Sequence, residues 1–295
     1  MQFVGIGNST SVIRETKMGV PQGSTMGPLL FILYISDMHR ALSYMKIIHF
    51  ADDSTLYIAY EKNIDCSIMI NQELDSLNTW LLANKLFLNI DKTKFMIIHN
   101  QGTPRDLSLH IANDQILRAN VHKFLGVEID DCLTFTEHIK KINSKIAANI
   151  GIMRKIRCLV PQSVLRNLHF AFVNSRFVYA LTSYGFAAPS ATRKLSNLID
   201  KSIKISLDVD RLTPEICKAN KLFNFHLSLK LFSSIKMHQI LNNNRHKYFC
   251  DKIHDFQSYH SHNTRSSNAG LLSRPFMRFS KCEKIFCIPG SGLLE

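Results

Sequence analysis

The chain has 295 residues, 45% of them apolar and 20% charged, with a formal net charge of +13. That length and apolar content suffice for one large or two ordinary folded domains and exclude a chain too polar to collapse. Seven widely spaced cysteines without a C-x-x-C pair exclude a disulfide framework, and the longest apolar run, Leu29 to Ile35, is too short to span a bilayer. Together with an N-terminus that has no apolar signal core, this reads as a soluble, intracellular chain with no membrane partner.

In chain order, residues 3–18 alternate apolar and polar positions around Gly5, Gly7 and Asn8-Ser9-Thr10, which predicts a β-hairpin. Gly19-Val20-Pro21-Gln22-Gly23 predicts a loop, and Pro28 the first turn of a helix running to about His39. Two β-prone runs, Ile47–Phe50 and Leu56–Ala59, bracket Asp52 and Asp53 and predict a strand, a tight turn and a returning strand. Ile70, Leu74, Leu77 and Leu81 predict an amphipathic helix over 65–84, lying on a sheet. Phe95–His99 and Lys123–Ile129 predict strands, with Gly126 inviting a bulge or close approach.

After Phe135 the hydrophobic period becomes helical. Ile139, Ile142, Ile146, Ile150 and Met153 form one stripe of a helix over 137–158, surrounded by Lys140, Lys141, Lys145, Arg154, Lys155 and Arg157. A second helix follows Pro161 to about Leu181, and 191–207 predicts a third. From residue 242 Asn, His, Ser and Arg dominate, which predicts an irregular basic tail. The fold class expected is α+β: an antiparallel sheet with packed helices over 1–135, a helical region over 136–241, and the tail over 242–295.

Charge follows the same division. Residues 1–150 carry 14 Lys/Arg and 15 Asp/Glu, whereas 151–295 carry 22 and 8. A balanced first half and a strongly basic second half fit an anionic polymer as partner, or equally a well-solvated surface. Two adjacent carboxylates repel each other unless a cation lies against them, and hard oxygen ligands of this kind suit Mg²⁺, with Mn²⁺ as the alternative ion. Read alone, Asp52-Asp53-Ser54 is also an ordinary polar turn.

The stretch GVPQGSTMGPLLFILYISDM (Gly19–Met38), followed by FADDSTLY (Phe50–Tyr57), resembles reverse transcriptases of non-LTR, jockey-like retrotransposons. The likeness continues through NTWLLANKLFLNIDKTKFMIIH (Asn78–His99) and KFLGVEIDDCLTFTEHI (Lys123–Ile139) and covers most of the chain. It implies a partial polymerase palm over 1–135 and a thumb over the helical region. The activity implied is templated transfer of deoxynucleotides from dNTPs to a DNA primer on an RNA template, by phosphoryl transfer with two metals.

By resemblance, Asp52 and Asp53 hold the metal, Asp52 being the stronger ligand. Pro21, Gln22, Gly23, Phe50 and Ala51 lie against nucleotide or template. Lys92 stands near the departing pyrophosphate, with Lys94 competing for that role, and Leu125-Gly126 sits at the primer backbone. Lys140, Lys141, Lys145, Arg154, Lys155 and Arg157 would track the duplex by phosphate contacts. Each also has a plainer reading: a helix-capping loop for Gln22, a solvated lysine for Lys92, a bulged hairpin for Leu125-Gly126.

The resemblance also leaves gaps. A palm polymerase needs a third carboxylate on a strand that pairs against the acidic hairpin, and no Asp precedes Gly19. Fingers and an endonuclease domain are also missing, so an internal piece of a longer reading frame is expected, inactive as an isolated chain. The alternative is a non-catalytic nucleic-acid-binding remnant of a mobile element. Cys250, His254, His260, His262, Cys282 and Cys287 have irregular spacing that does not match a zinc finger or knuckle. Oligomeric state is not legible.

Overall fold

The computed structural model describes residues 3–13, 23–61, 65–99, 106–243 and 282–288. They separate into two compact units, one of Met1–Ile97, Gly102–Ala119 and Cys282–Glu295, the other of Ile98–Gln101 and Asn120–Lys281.

The first unit is mixed α and β. A short hairpin, β1 (Gly5–Ile6) and β2 (Ser9–Thr10), matches the alternation at 3–13 but leaves Phe3, Val4, Ile6, Val12 and Ile13 exposed. Helix α1 (Gly27–Ile35) takes Pro28 into its first turn, where a missing N–H costs nothing. A single 3-10 turn, Met38–Ala41, leads towards the sheet. Strands β3 (Lys46–Phe50) and β4 (Asp53–Glu61) form the expected acidic hairpin. Helix α2 (Ser67–Ala83) buries Ile70, Leu74, Leu77 and Leu81, the four positions that its spacing predicts. Strand β5 (Lys94–Ile98) is followed by a small hairpin of β6 (Leu109–Ile111) and β7 (Asp114–Arg118), which hydrophobic patterning does not indicate.

Strand order in the main sheet is β3-β4-β10-β5-β7-β6, where β10 is Cys282–Ile288. Two features depart from expectation. The β5–β7 pair is parallel, so the sheet is not wholly antiparallel. Part of the segment expected as irregular tail is a strand, with Cys282 opposite Glu61 and Cys287 opposite Leu56 in antiparallel register. Lys284-Ile285-Phe286-Cys287-Ile288 is a short β-prone run inside a polar segment, and a compositional reading of the whole segment masks it. The core beneath the sheet holds Ile35, Leu56, Ile58, Phe95, Ile97, Leu109 and Ile116 together with the α2 stripe.

The second unit begins with a two-stranded hairpin, β8 (Val121–Phe124) and β9 (Val127–Asp130), where one strand through 123–129 is the sequence expectation. Leu125 and Gly126 both take positive φ, +45° and +86°, and two such residues reverse the chain where a bulge would only bend it. Helix α3 (Thr136–Ile156) follows, burying Ile139, Ile142, Ile146, Ile150 and Met153 as its spacing predicts. Its start is held by Asp130, whose carboxylate accepts the backbone N–H of Thr134 at 2.8 Å and of Phe135 at 2.6 Å. The helix expected from Pro161 is interrupted. It runs as α4 (Gln162–His169), a π-helical turn (Phe170–Asn174) and α5 (Ser175–Val178), and then breaks at Tyr179-Ala180 before α6 (Leu181–Tyr184). Helix α7 (Pro189–Leu207) closes the core with Leu195, Ile199, Ile203 and Leu207, and α8 (Pro214–Ala219) and α9 (Phe225–Asn243) complete the unit.

Candidate active site

The acidic hairpin is closed by the pair Phe50–Asp53, which leaves Ala51 and Asp52 as its two-residue loop. Ala51 adopts φ +53°, a conformation that costs an L-residue about 1–2 kcal/mol and that a two-residue loop demands. Asp52 therefore sits in the loop and Asp53 opens β4, both half-exposed and adjacent in sequence. One residue further in, Ser54 is buried and His49 places Nδ1 2.8 Å from its hydroxyl. Burial holds the His49 imidazole below its usual pKa, and the neighbouring charge of His39 adds to this. The two half-exposed carboxylates thus put hard oxygen donors at the hairpin loop, a donor set that fits a divalent cation.

The strand feeding this hairpin is anchored by a residue that pattern reading passes over. Glu73 of α2 is buried, and its carboxylate accepts the backbone N–H of Ser43, Tyr44 and Met45, each at 3.0 Å. Those three residues immediately precede β3. The one signal in the sequence is a charge on the inner face of an otherwise apolar helix stripe, Ile70, Glu73, Leu74, Leu77.

Lys92 ends a 3-10 turn (Ile90–Lys92), Lys94 opens β5, and β10 lies between β4 and β5 in the sheet. The one acid of β10, Glu283, has its backbone opposite Tyr60. Seven residues along β4 from Asp53 is roughly 23 Å. Strand β10 therefore fills the place beside β4 with its acidic position far from Asp53. Phe50 and Ile48 point away from the core of β3 and are 61% and 52% exposed. Pro21 and Gln22 lie outside the described residues, as do Cys250, His254, His260 and His262. Gly23 takes φ +84°, which suits its position before α1.

In the second unit, the Leu125-Gly126 tip is held by Tyr179, whose hydroxyl donates to the Leu125 carbonyl. A Cβ on Gly126 would stand 3.3 Å from the Tyr179 ring, so the glycine serves both the turn and the contact. Tyr179 is a site residue missed from sequence, since it falls where an uninterrupted helix is the natural reading. The basic stripe of α3 divides in two. Lys140 pairs with Glu137 at 2.6 Å, Lys141 with Glu128 at 2.5 Å and Arg157 with Asp208 at 3.3 Å. Lys145, Arg154 and Lys155 are exposed and form no ion pair among the described residues.

Comparison with known proteins converges on one family. The family model for reverse transcriptase (RNA-dependent DNA polymerase) matches residues 2–129. The RNA-directed DNA polymerase from mobile element jockey of Drosophila melanogaster is 26% identical over 215 residues, 68% of this chain and 23% of that protein. The probable RNA-directed DNA polymerases from transposon X-element and transposon BS of the same organism are 29% and 24% identical, over 67% and 70% of this chain and 22% and 24% of theirs. The chain thus spans about a quarter of the length of the curated relatives it matches. No solved structure matches it. The matched region includes the acidic hairpin, and these likenesses support a reading of the chain as a reverse transcriptase fragment of a non-LTR mobile element.

Proposed function

We propose that this chain contributes the metal-binding hairpin and the primer-side contacts of an RNA-directed DNA polymerase. Its substrates would be an RNA template, a DNA primer and dNTPs, and its metal Mg²⁺. Reverse transcriptases generally use divalent metal ions, and the observation that carries the reading is the adjacent, half-exposed pair Asp52, in the two-residue hairpin loop, and Asp53, at the start of β4. In the reaction the primer 3′-oxygen forms a bond to the α-phosphorus of the dNTP while the bond to pyrophosphate breaks. Mg²⁺ bound to Asp52 and Asp53 would neutralise charge on the reacting oxygens. The protein's own part is placement. Glu73 fixes the start of β3, and the buried Ser54–His49 contact stiffens the strand pair beneath the loop. Tyr179 holds the Leu125-Gly126 tip in the shape proposed to meet the primer backbone, and Lys145, Arg154 and Lys155 offer charge to phosphates.

A second reading, a non-catalytic nucleic-acid-binding remnant, draws on β10. That strand occupies the position beside β4 with its acidic position far from Asp53, so no third carboxylate stands there among the described residues. Both readings meet in one assay on the purified chain, with an RNA template, a labelled DNA primer and Mg²⁺. Binding that weakens with salt but yields little or no extension is the expected outcome. Robust extension that Asp52→Ala abolishes would refute the second reading, and absence of binding at low salt would refute both.

A further inference from the structure

Away from the acidic hairpin, within the second unit, three side chains of different chemistry converge. One donor atom each from His99, Asp131 and Cys132 lies within 4.8 Å of the others. His99 follows β5, and Asp131 and Cys132 follow β9. The segments are held together by the backbone, since His99 donates its N–H to the Asp131 carbonyl at 3.0 Å. The side chains form a half-buried floor and an open mouth. His99 is 10% exposed and Asp131 23%, while Cys132 faces solvent.

Within the cluster the Cys132 thiol is hydrogen-bonded to the Asp131 carboxylate, whereas the His99–Asp131 contact is looser. His99 Nε2 and Asp131 Oδ2 are 3.8 Å apart, too long for a hydrogen bond. Nitrogen and oxygen ligands held at 2.0–2.2 Å from a tetrahedral ion are themselves roughly 3.3–3.6 Å apart, so a closure of a few tenths of an ångström would seat an ion between these two atoms. Among the described residues His99 Nδ1 is buried with no hydrogen-bond partner, so no contact at that nitrogen withdraws Nε2 from serving as a ligand. A cation between Nε2 and the carboxylate would use the Nε2 lone pair and offset the Asp131 charge together.

We propose that His99, Asp131 and Cys132 form a site for one thiophilic divalent cation of the zinc class, with a fourth position open to water. Three mixed N, O and S ligands with one exposed side suit Zn²⁺, and the thiolate selects against Mg²⁺. On binding, the Cys132 S–H bond breaks, sulfur keeps the electron pair as a metal ligand and the proton passes to solvent. The ion would pin the exit of β5 to the turn that leads into α3. This site is independent of the acidic hairpin and of polymerase activity.

The test uses the full chain, freed of metal by chelation and titrated with Co²⁺, whose thiolate complexes absorb in the near ultraviolet. The expected result is saturation at one Co²⁺ per chain, displacement by Zn²⁺, and loss of the band in Cys132→Ser. That cysteine is exposed, so the variant keeps the fold. Cys158→Ser, also at an exposed position, should leave the band unchanged. His99→Gln should weaken binding by at least about tenfold. A folded chain with no band overturns the proposal, as does a band that Cys132→Ser leaves intact, which would place the metal on other thiols.

Discussion

Glu73 shows how much a single buried carboxylate can organise. Three successive backbone N–H groups point at it, and a hydrogen bond to a charged acceptor contributes about 1.5–3 kcal/mol. Glu73→Ala is expected to lower stability by about 2 kcal/mol, read as a shift in urea midpoint, because it removes three bonds to a charged acceptor and leaves the buried Met45 N–H without its partner. Glu73→Gln should recover part of that loss, and equal losses in the two variants would mean that charge is what the loop requires. Ala51 carries the opposite kind of information. Its φ of +53° is strained for any residue with a Cβ, so Ala51→Gly should raise stability by about 1 kcal/mol. His169 sets an acid limit. It is buried with Nδ1 2.8 Å from the Ser202 hydroxyl, and burial lowers its pKa to about 4. Between pH 6.5 and 4 the unfolded chain takes up a proton that the folded chain refuses, so stability falls as pH falls through that window. The full effect, on the order of 3 kcal/mol, is present below about pH 4. His169→Asn, which keeps a polar atom near Nδ1, should flatten this part of the pH profile in denaturant titrations.

At the scale of elements, the β8–β9 hairpin is the place where residue geometry decides the outcome. Gly126→Ala meets both a positive φ and a ring at 3.3 Å, and should cost about 1–2 kcal/mol. Tyr179→Phe removes only the bond to the Leu125 carbonyl and should cost about 1 kcal/mol. The double variant, measured by denaturant midpoint, should cost less than the sum, since the two changes act on one contact. The same hairpin marks the limit of what pattern can show. Period alone locates α2 and α3 and every apolar residue of their buried stripes, because an amphipathic face repeats and so carries redundant signal. Asp52 and Asp53 are legible for a related reason, since a turn between two β-prone runs has few alternatives. Tyr179 and Glu73 are not, because each acts through long-range contacts that leave no repeat in the sequence. Strand β10 is hidden by its polar surroundings, while the β8–β9 turn is blurred by the apolar continuity of Phe124-Leu125-Gly126-Val127, which reads as one strand although Gly126 also allows a hairpin.

Across the whole molecule, charge and exposed apolar surface are unevenly shared, and both have measurable consequences. Among the described residues the basic set of α3 without an ion pair reduces to Lys145, Arg154 and Lys155, because Lys140, Lys141 and Arg157 already face acids. Every side-chain cation that neutralises a duplex phosphate adds about 0.9 to the slope of log affinity against log salt. Replacing Lys145, Arg154 and Lys155 together by Gln should therefore lower that slope by about 2–3. The same treatment of Lys140, Lys141 and Arg157 should change it less, and equal slopes in both triple variants would remove α3 from the interface. In the first unit apolar exposure gathers on one helix and one edge strand. Leu29, Leu30, Ile32, Leu33 and Tyr34 of α1 are exposed, as are Ile48 and Phe50 of β3, which forms an edge of the main sheet. The second unit instead encloses a core drawn from α3, α5, α6, α7 and the start of α9, with Phe177, Tyr184 and Ile199 fully buried. An open edge and an uncovered apolar helix lower local stability and favour association. Amides of β3 and β4 are thus expected to exchange with solvent before those of α3 and α7. Brief proteolysis should likewise cut the first unit while leaving 136–207 intact. Slower exchange in β3 than in α7 would show that the exposed edge is covered in solution, by another copy of the chain or by some other surface.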